Sequence, residues 1–90
     1  MALWLKTDTT EHKVHPANGK LFTLAELQGY VGGYIEIIPI GDDKSMVLNE
    51  DGKALGLATN LTACARTMGI IALDDEVVGD VLIVNDSEMN

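Results

Sequence analysis

Several short segments of the chain alternate apolar and polar side chains, which is the pattern of a half-buried β-strand. The pattern predicts four or five strands, at residues 2–7, 13–15, 34–40, 45–49 and 77–84. Residues 41–44 contain a turn sequence between two of these strands and predict a hairpin. Residues 81–84 are apolar on both faces, so we expect the last strand to be central.

A helix is predicted over residues 24–31. Thr23 and Glu26 have the capping-box spacing, in which each side chain accepts a hydrogen bond from a backbone N–H at the helix start. The apolar residues that follow recur at steps of three and four. The glycine pair 32–33 ends the helix, because glycine adopts the left-handed conformation without steric cost.

A second helix is predicted over residues 60–68, with Asn60 or Thr62 as its cap. Its expected buried stripe is Leu61, Ala65 and Met68.

The predicted fold is therefore α+β: a small, mainly antiparallel sheet of four to five strands with two short helices. The 90 residues suffice for one domain, 1–90, and the polar tail 85–90 is expected to fray.

The formal charge of −8 changes the expected partners. It opposes binding to nucleic acid polymers and anionic membranes. Solubility is one explanation of this acidity and mimicry of nucleic acid is another, although short acidic clusters such as 74–76 weaken the second. No segment is long and apolar enough for a membrane span or resembles a signal peptide, and the single cysteine, Cys64, excludes an internal disulfide. A cytoplasmic location is expected.

Nothing in the sequence indicates an enzyme. His12 and His15, the two histidines, are spaced to point to opposite faces of an extended segment, so we expect no metal site. The chain lacks the phosphate loop and the dinucleotide fingerprint, and no cofactor is expected.

Two segments are candidates for binding a ligand. Gly32 and Gly33 have a structural interpretation as a helix stop and a functional one, in which free N–H groups hold a phosphate and Tyr34 stacks on a base. Asn60 is either a cap or part of an anion-binding helix start. Thr62 and Arg66 would add donors there, although Arg66 could equally form a surface ion pair.

An ordered set of motifs resembles a family of small phage-encoded proteins that share a domain of unknown function. The motifs are VGGYIE at 31–36, NEDGK at 49–53, Gly56-Leu57 with Asn60, and VGDVLIV at 78–84. The resemblance extends from about Leu24 to Val84, so Trp4 and the first strand lie outside it.

The resemblance implies a phage origin and action in the host bacterial cytoplasm. By analogy with phage nucleotide sponges, we expect an anti-defense protein that sequesters a cyclic nucleotide immune signal without cleaving it, as a homo-oligomer. The expected ligand-binding residues are Gly32, Gly33, Tyr34, Asn60, Thr62 and Arg66. The alternatives are an acidic inhibitor of a host protein, acting through residues such as 74–76, and an accessory domain without a small ligand.

Overall fold

The computed structural model describes residues 1–69 and 76–89, which form one five-stranded sheet with two α-helices. The elements in chain order are β1 (Ala2–Leu5), β2 (Glu11–Val14), α1 (Leu24–Val31), β3 (Ile35–Gly41), β4 (Lys44–Asn49), α2 (Leu61–Arg66), β5 (Val81–Asn85) and a 3-10 helix (Asp86–Glu88). The predicted α+β class is confirmed. The acidic residues Asp74 and Asp75 lie outside the described residues.

The strand order is β2-β1-β5-β4-β3, and every neighbouring pair is antiparallel. The prediction that the last strand is central is confirmed. Val81, Leu82 and Val84 are fully buried, because β5 has a strand on each side and side chains packed against both faces. The strand begins at Val81, four residues later than predicted, because Gly79 bends the chain at a φ of +78°.

The two helices cover opposite faces of the sheet. Leu27 and Val31 of α1 pack in one apolar cluster, which also contains Leu82 of β5. Ala63 of α2 packs in the other cluster, with Ile83 of the same strand. Since successive strand residues point to opposite faces, the sheet lies between the helices.

The start and end of α1 are those that the sequence predicts. Thr23 Oγ1 accepts from Glu26 N at 3.1 Å, and Glu26 Oε1 accepts from Thr23 N at 2.9 Å. Hydrogen bonds from the N–H groups of Thr23 and Ala17 lower the pKa of the Glu26 carboxyl group. Gly32 ends the helix in the left-handed conformation.

The predicted buried stripe of α2 is wrong. Leu61 and Met68 are 66% and 73% exposed, whereas Ala63 and Thr67 are fully buried. The helix faces the sheet with a small side chain and a hydroxyl group, and the Thr67 hydroxyl donates to Ala63 O at 2.8 Å. Apolar spacing alone chose the wrong face because Asn60, whose side chain bonds to the sheet, fixes how the helix docks.

The hairpin between β3 and β4 is confirmed, with Asp42 and Asp43 at its tip. Both have positive φ angles, 55° and 57°, as a two-residue type I′ turn requires. The returning strand β2 covers residues 11–14 and not the predicted 13–15.

The tail is docked through residue 89. The prediction that it frays is therefore wrong for residues 85–89. Glu88 is buried, and its Oε2 accepts from the Met1 ammonium group at 2.7 Å. Its carbonyl oxygen accepts from Phe22 N at 2.8 Å, which joins the tail to the segment before α1.

Within residues 1–69 and 76–89, the helices are too short to cross a membrane.

Candidate functional site

The glycine pair after α1 does not offer free amides. Gly32 N donates to Gln28 O at 2.8 Å, and Gly33 N donates to the same oxygen at 3.2 Å. Both N–H groups therefore close the helix end. The prediction that these two amides are available to hold a phosphate is wrong, and the structural interpretation of the pair as a helix stop describes them.

Asn60 is fully buried, and its side chain is fully bonded. Its Oδ1 accepts from Ala63 N at 3.0 Å, while its Nδ2 donates to Leu5 O and Gly79 O, both at 2.9 Å. Its own N–H donates to Val77 O at 2.8 Å. A ligand contact at Asn60 does not fit this arrangement, because the side chain has neither solvent access nor a free donor.

Tyr34 and Arg66 lie at opposite edges of the sheet. Tyr34 is 70% exposed and immediately precedes the edge strand β3. Arg66 donates to Glu11 Oε1 at 2.7 Å, and Glu11 belongs to the other edge strand, β2. Four strand spacings of about 4.8 Å separate the two edges, roughly 20 Å in total. One chain therefore does not bring Arg66, or the half-buried Thr62 on α2, to Tyr34 and the adjacent glycine pair.

A different pocket gathers several of the motif segments. It has a volume of about 300 Å³ and lies where α1 ends and β5 begins. We call it the aromatic pocket; its lining residues are Trp4, Thr7, Gly29, Tyr30, Val31, Gly32, Leu57, Ala58, Gly79 and Asp80. Of the six predicted site residues, Gly32 alone lines it.

Two aromatic rings form one wall of the aromatic pocket. The Trp4 and Tyr30 rings meet edge to face, with centroids 5.2 Å apart. Trp4 Nε1 donates to Tyr30 O at 3.1 Å, which fixes the indole against α1. The Lys6 ammonium group lies 4.7 Å from the centre of the Trp4 ring, at cation–π distance. The wall thus combines flat apolar surface with one adjacent cation.

Another part of the lining is backbone held in position by Gly79. Gly79 has a φ of +78°, and a Cβ atom there would lie 2.8 Å from the Leu57 side chain. Asp80 Oδ1 accepts from Thr7 N at 2.9 Å and ties this part of the lining to the end of β1. The buried Asn60 amide supports the same part from behind through Gly79 O.

The sequence motifs contained a signal for this pocket that local patterns did not reveal. Segments near residues 32, 57 and 79 are far apart in the chain but meet around one cavity. Sequence patterns did not indicate a site at Trp4 or Tyr30. Trp4 occupies one position of an alternating strand, and Tyr30 occupies one position of a predicted helix.

A second cleft, of about 250 Å³, is acidic. Glu36, Glu50 and Glu76 come from three separate segments to line it, together with Lys53. Glu76 Oε2 accepts from the Thr59 hydroxyl at 2.6 Å. Among residues 1–69 and 76–89, no cluster of three or more His, Cys, Asp or Glu residues could hold a metal ion.

The chain belongs to the family described as "Domain of unknown function (DUF3846)", whose model matches residues 2–90. The family match includes the first strand and Trp4, which the motif resemblance left out. No curated protein matches the chain. No solved structure matches it either.

Proposed function

We propose that this DUF3846 chain is a non-enzymatic phage protein that sequesters a cyclic nucleotide immune signal in the host bacterial cytoplasm, with the aromatic pocket as its binding site. The observation that carries the proposal is the wall formed by Trp4 and Tyr30 with Lys6 beside it. This aromatic wall replaces the N–H groups of Gly32 and Gly33 as the expected ligand contact, because both N–H groups already donate to Gln28 O.

The pocket suits one nucleotide unit. A volume of about 300 Å³ is at the lower end of the range for small-molecule sites. Contact between a base and an aromatic side chain contributes about 1–3 kcal/mol. Lys6 is the cation placed to receive a phosphate near the rings. A cyclic dinucleotide would extend beyond this pocket, which is why the proposed sponge acts as a homo-oligomer.

The net charge makes a kinetic prediction for this proposal. A formal charge of −8 repels an anionic ligand at long range, and salt screens that repulsion. We expect the association rate of a cyclic nucleotide to rise with ionic strength, whereas the association rate of a basic protein would fall.

Fluorescence provides the direct test, since Trp4 is the single tryptophan of the chain and lines the pocket. Titration with a panel of cyclic mono- and dinucleotides should change the Trp4 emission, with matching heats in calorimetry. Lys6→Gln should weaken binding at least several-fold, and the matched control Lys20→Gln, at an exposed turn, should not. Absence of both signals at protein concentrations well above micromolar contradicts the proposal.

The acidic cleft favours a second candidate, an inhibitor that binds a basic surface of a host protein. Its three carboxylates, at residues 36, 50 and 76, would receive an arginine or lysine side chain. The double variant Glu36→Gln, Glu50→Gln should then abolish capture of one stoichiometric partner from host lysate. The control Asp42→Asn, Asp43→Asn removes the same charge at the hairpin tip. Equal capture by both variants rejects this candidate.

A further inference from the structure

Within residues 1–69 and 76–89, the edge strand β3 leaves backbone hydrogen-bonding groups unpaired. Glu50 N donates to Tyr34 O at 2.9 Å, so the peptide groups of residue 34 point toward β4. Peptide groups alternate in direction along a strand, so those of residues 36 and 38 also point toward β4. The groups of residues 35, 37 and 39 then point away from the sheet. Within the described residues, no further strand lies beyond β3.

This edge offers two donors and three acceptors. Ile35 and Ile37 each present an N–H and a carbonyl group, and Pro39 presents a carbonyl group alone. The other edge of the sheet is different, because β2 carries exposed Glu11, His12 and Lys13, and charged side chains discourage strand pairing. β3 carries a single charged side chain, Glu36, and is the edge suited to another strand.

Two antiparallel registers between copies of β3 would satisfy both donors on each chain. In the first, Ile37 lies opposite Ile37 of the second copy, and Ile35 N bonds to Pro39 O. In the second register, the twofold axis passes through Glu36, so that Glu36 lies directly opposite Glu36 of the second copy. Like charges placed opposite each other are destabilising, so charge selects the first register.

We propose that two copies of the chain pair through β3, with Ile37 on the twofold axis, to form one continuous ten-stranded sheet. Proline at position 39 removes no hydrogen bond in this register, because residue 39 acts there only as an acceptor. The inference does not depend on nucleotide binding.

The side chains on both faces agree with this register. Tyr34, 70% exposed in one chain, lies opposite Ile40 of the second copy, an aromatic and β-branched pair that favours strand pairing. On the other face, Ile37 is 46% exposed and Leu24 is 59% exposed. Both line an apolar groove of about 430 Å³ beside the edge, and the second copy would cover its open side.

Cysteine cross-linking distinguishes the registers. Residues opposite each other have Cα atoms about 4.5–5.5 Å apart, within disulfide range, whereas diagonal neighbours are about 7–8 Å apart. In a Cys64→Ser background, Ile37→Cys should give a covalent dimer under mild oxidation, and Ile35→Cys, which this register places opposite Pro39, should not. The control Leu61→Cys, at a position 66% exposed on α2, whose Arg66 pairs with the other edge strand, should remain single-chain.

Mass measurement tests the dimer without new thiols. Native mass spectrometry of the unsubstituted chain should give twice the 9.7 kDa chain mass. Ile37→Lys should shift the mass to a single chain with unchanged circular dichroism, because the side chain is already half exposed, while Leu61→Lys on α2 should leave the dimer intact.

Three results would overturn the inference. A single-chain mass for the unsubstituted protein rejects the dimer. A chain of doubled mass in which Ile37→Cys does not cross-link rejects the register. A folded Ile37→Lys variant that keeps the doubled mass rejects β3 as the interface.

Discussion

The two helices begin with the same cap bond in opposite surroundings. Thr23 Oγ1 accepts from Glu26 N at 3.1 Å at the start of α1, and Asn60 Oδ1 accepts from Ala63 N at 3.0 Å at the start of α2. Thr23 is exposed, whereas Asn60 is fully buried and also donates to Leu5 O of β1 and to Gly79 O, just before β5. The difference teaches that equal cap chemistry does not mean equal availability to a ligand.

The C-terminal end of α1 is also held by a buried asparagine side chain, but through fewer bonds than Asn60 makes. Asn49 is 5% exposed, and its Nδ2 donates to Val31 O at 3.2 Å, which joins the helix end to β4. A Cβ atom at Gly33 would approach that amide to 2.9 Å, so the second glycine of the pair makes room for a tether. Both buried asparagines lie within the motifs and hold helix termini to the sheet.

The largest effect is expected for Asn60→Ala. It removes a cap and also the amide donor to the buried carbonyl groups of Leu5 and Gly79, a loss of about 3–5 kcal/mol in the free energy of unfolding. Urea unfolding followed by circular dichroism measures it. The neighbouring Leu61→Ala, 66% exposed, should change stability by less than about 0.5 kcal/mol. A loss below about 1 kcal/mol for Asn60→Ala would mean that the buried amide is not a tether.

A smaller loss is expected for Asn49→Ala, about 1–3 kcal/mol, because one buried carbonyl group and the N–H of Asp51 lose their partner. The same urea experiment applies. Glu50→Ala, at the adjacent exposed position, is the matched control and should stay near the wild-type value. Equal midpoints for the two variants would contradict the assigned role of Asn49.

The exposed cap should matter least of the three. Thr23→Ala is expected to cost about 1 kcal/mol, since water can solvate the freed N–H group. Leu61→Ala, 66% exposed, again serves as the control for the side-chain truncation. If Thr23→Ala costs as much as Asn60→Ala, burial does not separate the two caps.

Glu26→Gln tests the charge in the exposed capping box. The pKa of Glu26 is lowered in the folded chain, so its contribution to stability is present above the unfolded-state pKa and is lost as pH falls through the folded-state pKa. Glutamine keeps an acceptor but does not titrate. The variant should therefore lose less stability than wild type between pH 7 and about pH 3. Parallel pH profiles of the unfolding free energy would refute this.

Local patterns predicted the elements well where the signal was local. The capping box at Thr23 and the span of α1 needed only neighbouring residues, as did the turn at Asp42 and Asp43. They failed for the inward face of α2 and for the docked tail. In both places a partner distant in sequence, such as Leu5 for Asn60, decided the outcome.

The sequence by itself determined the fold class, the central position of the last strand, the ends of α1 and the acidity, because these follow from residue type and short-range spacing. Only the tertiary structure decided which donors were already bonded, which aromatic rings met and which sheet edge stayed open. Those properties depend on groups tens of residues apart: Nδ2 of Asn60 with Gly79 O, or Trp4 with Tyr30. A hydrogen-bonding group can serve a ligand only if the fold leaves it free, and that is settled when distant segments pack together.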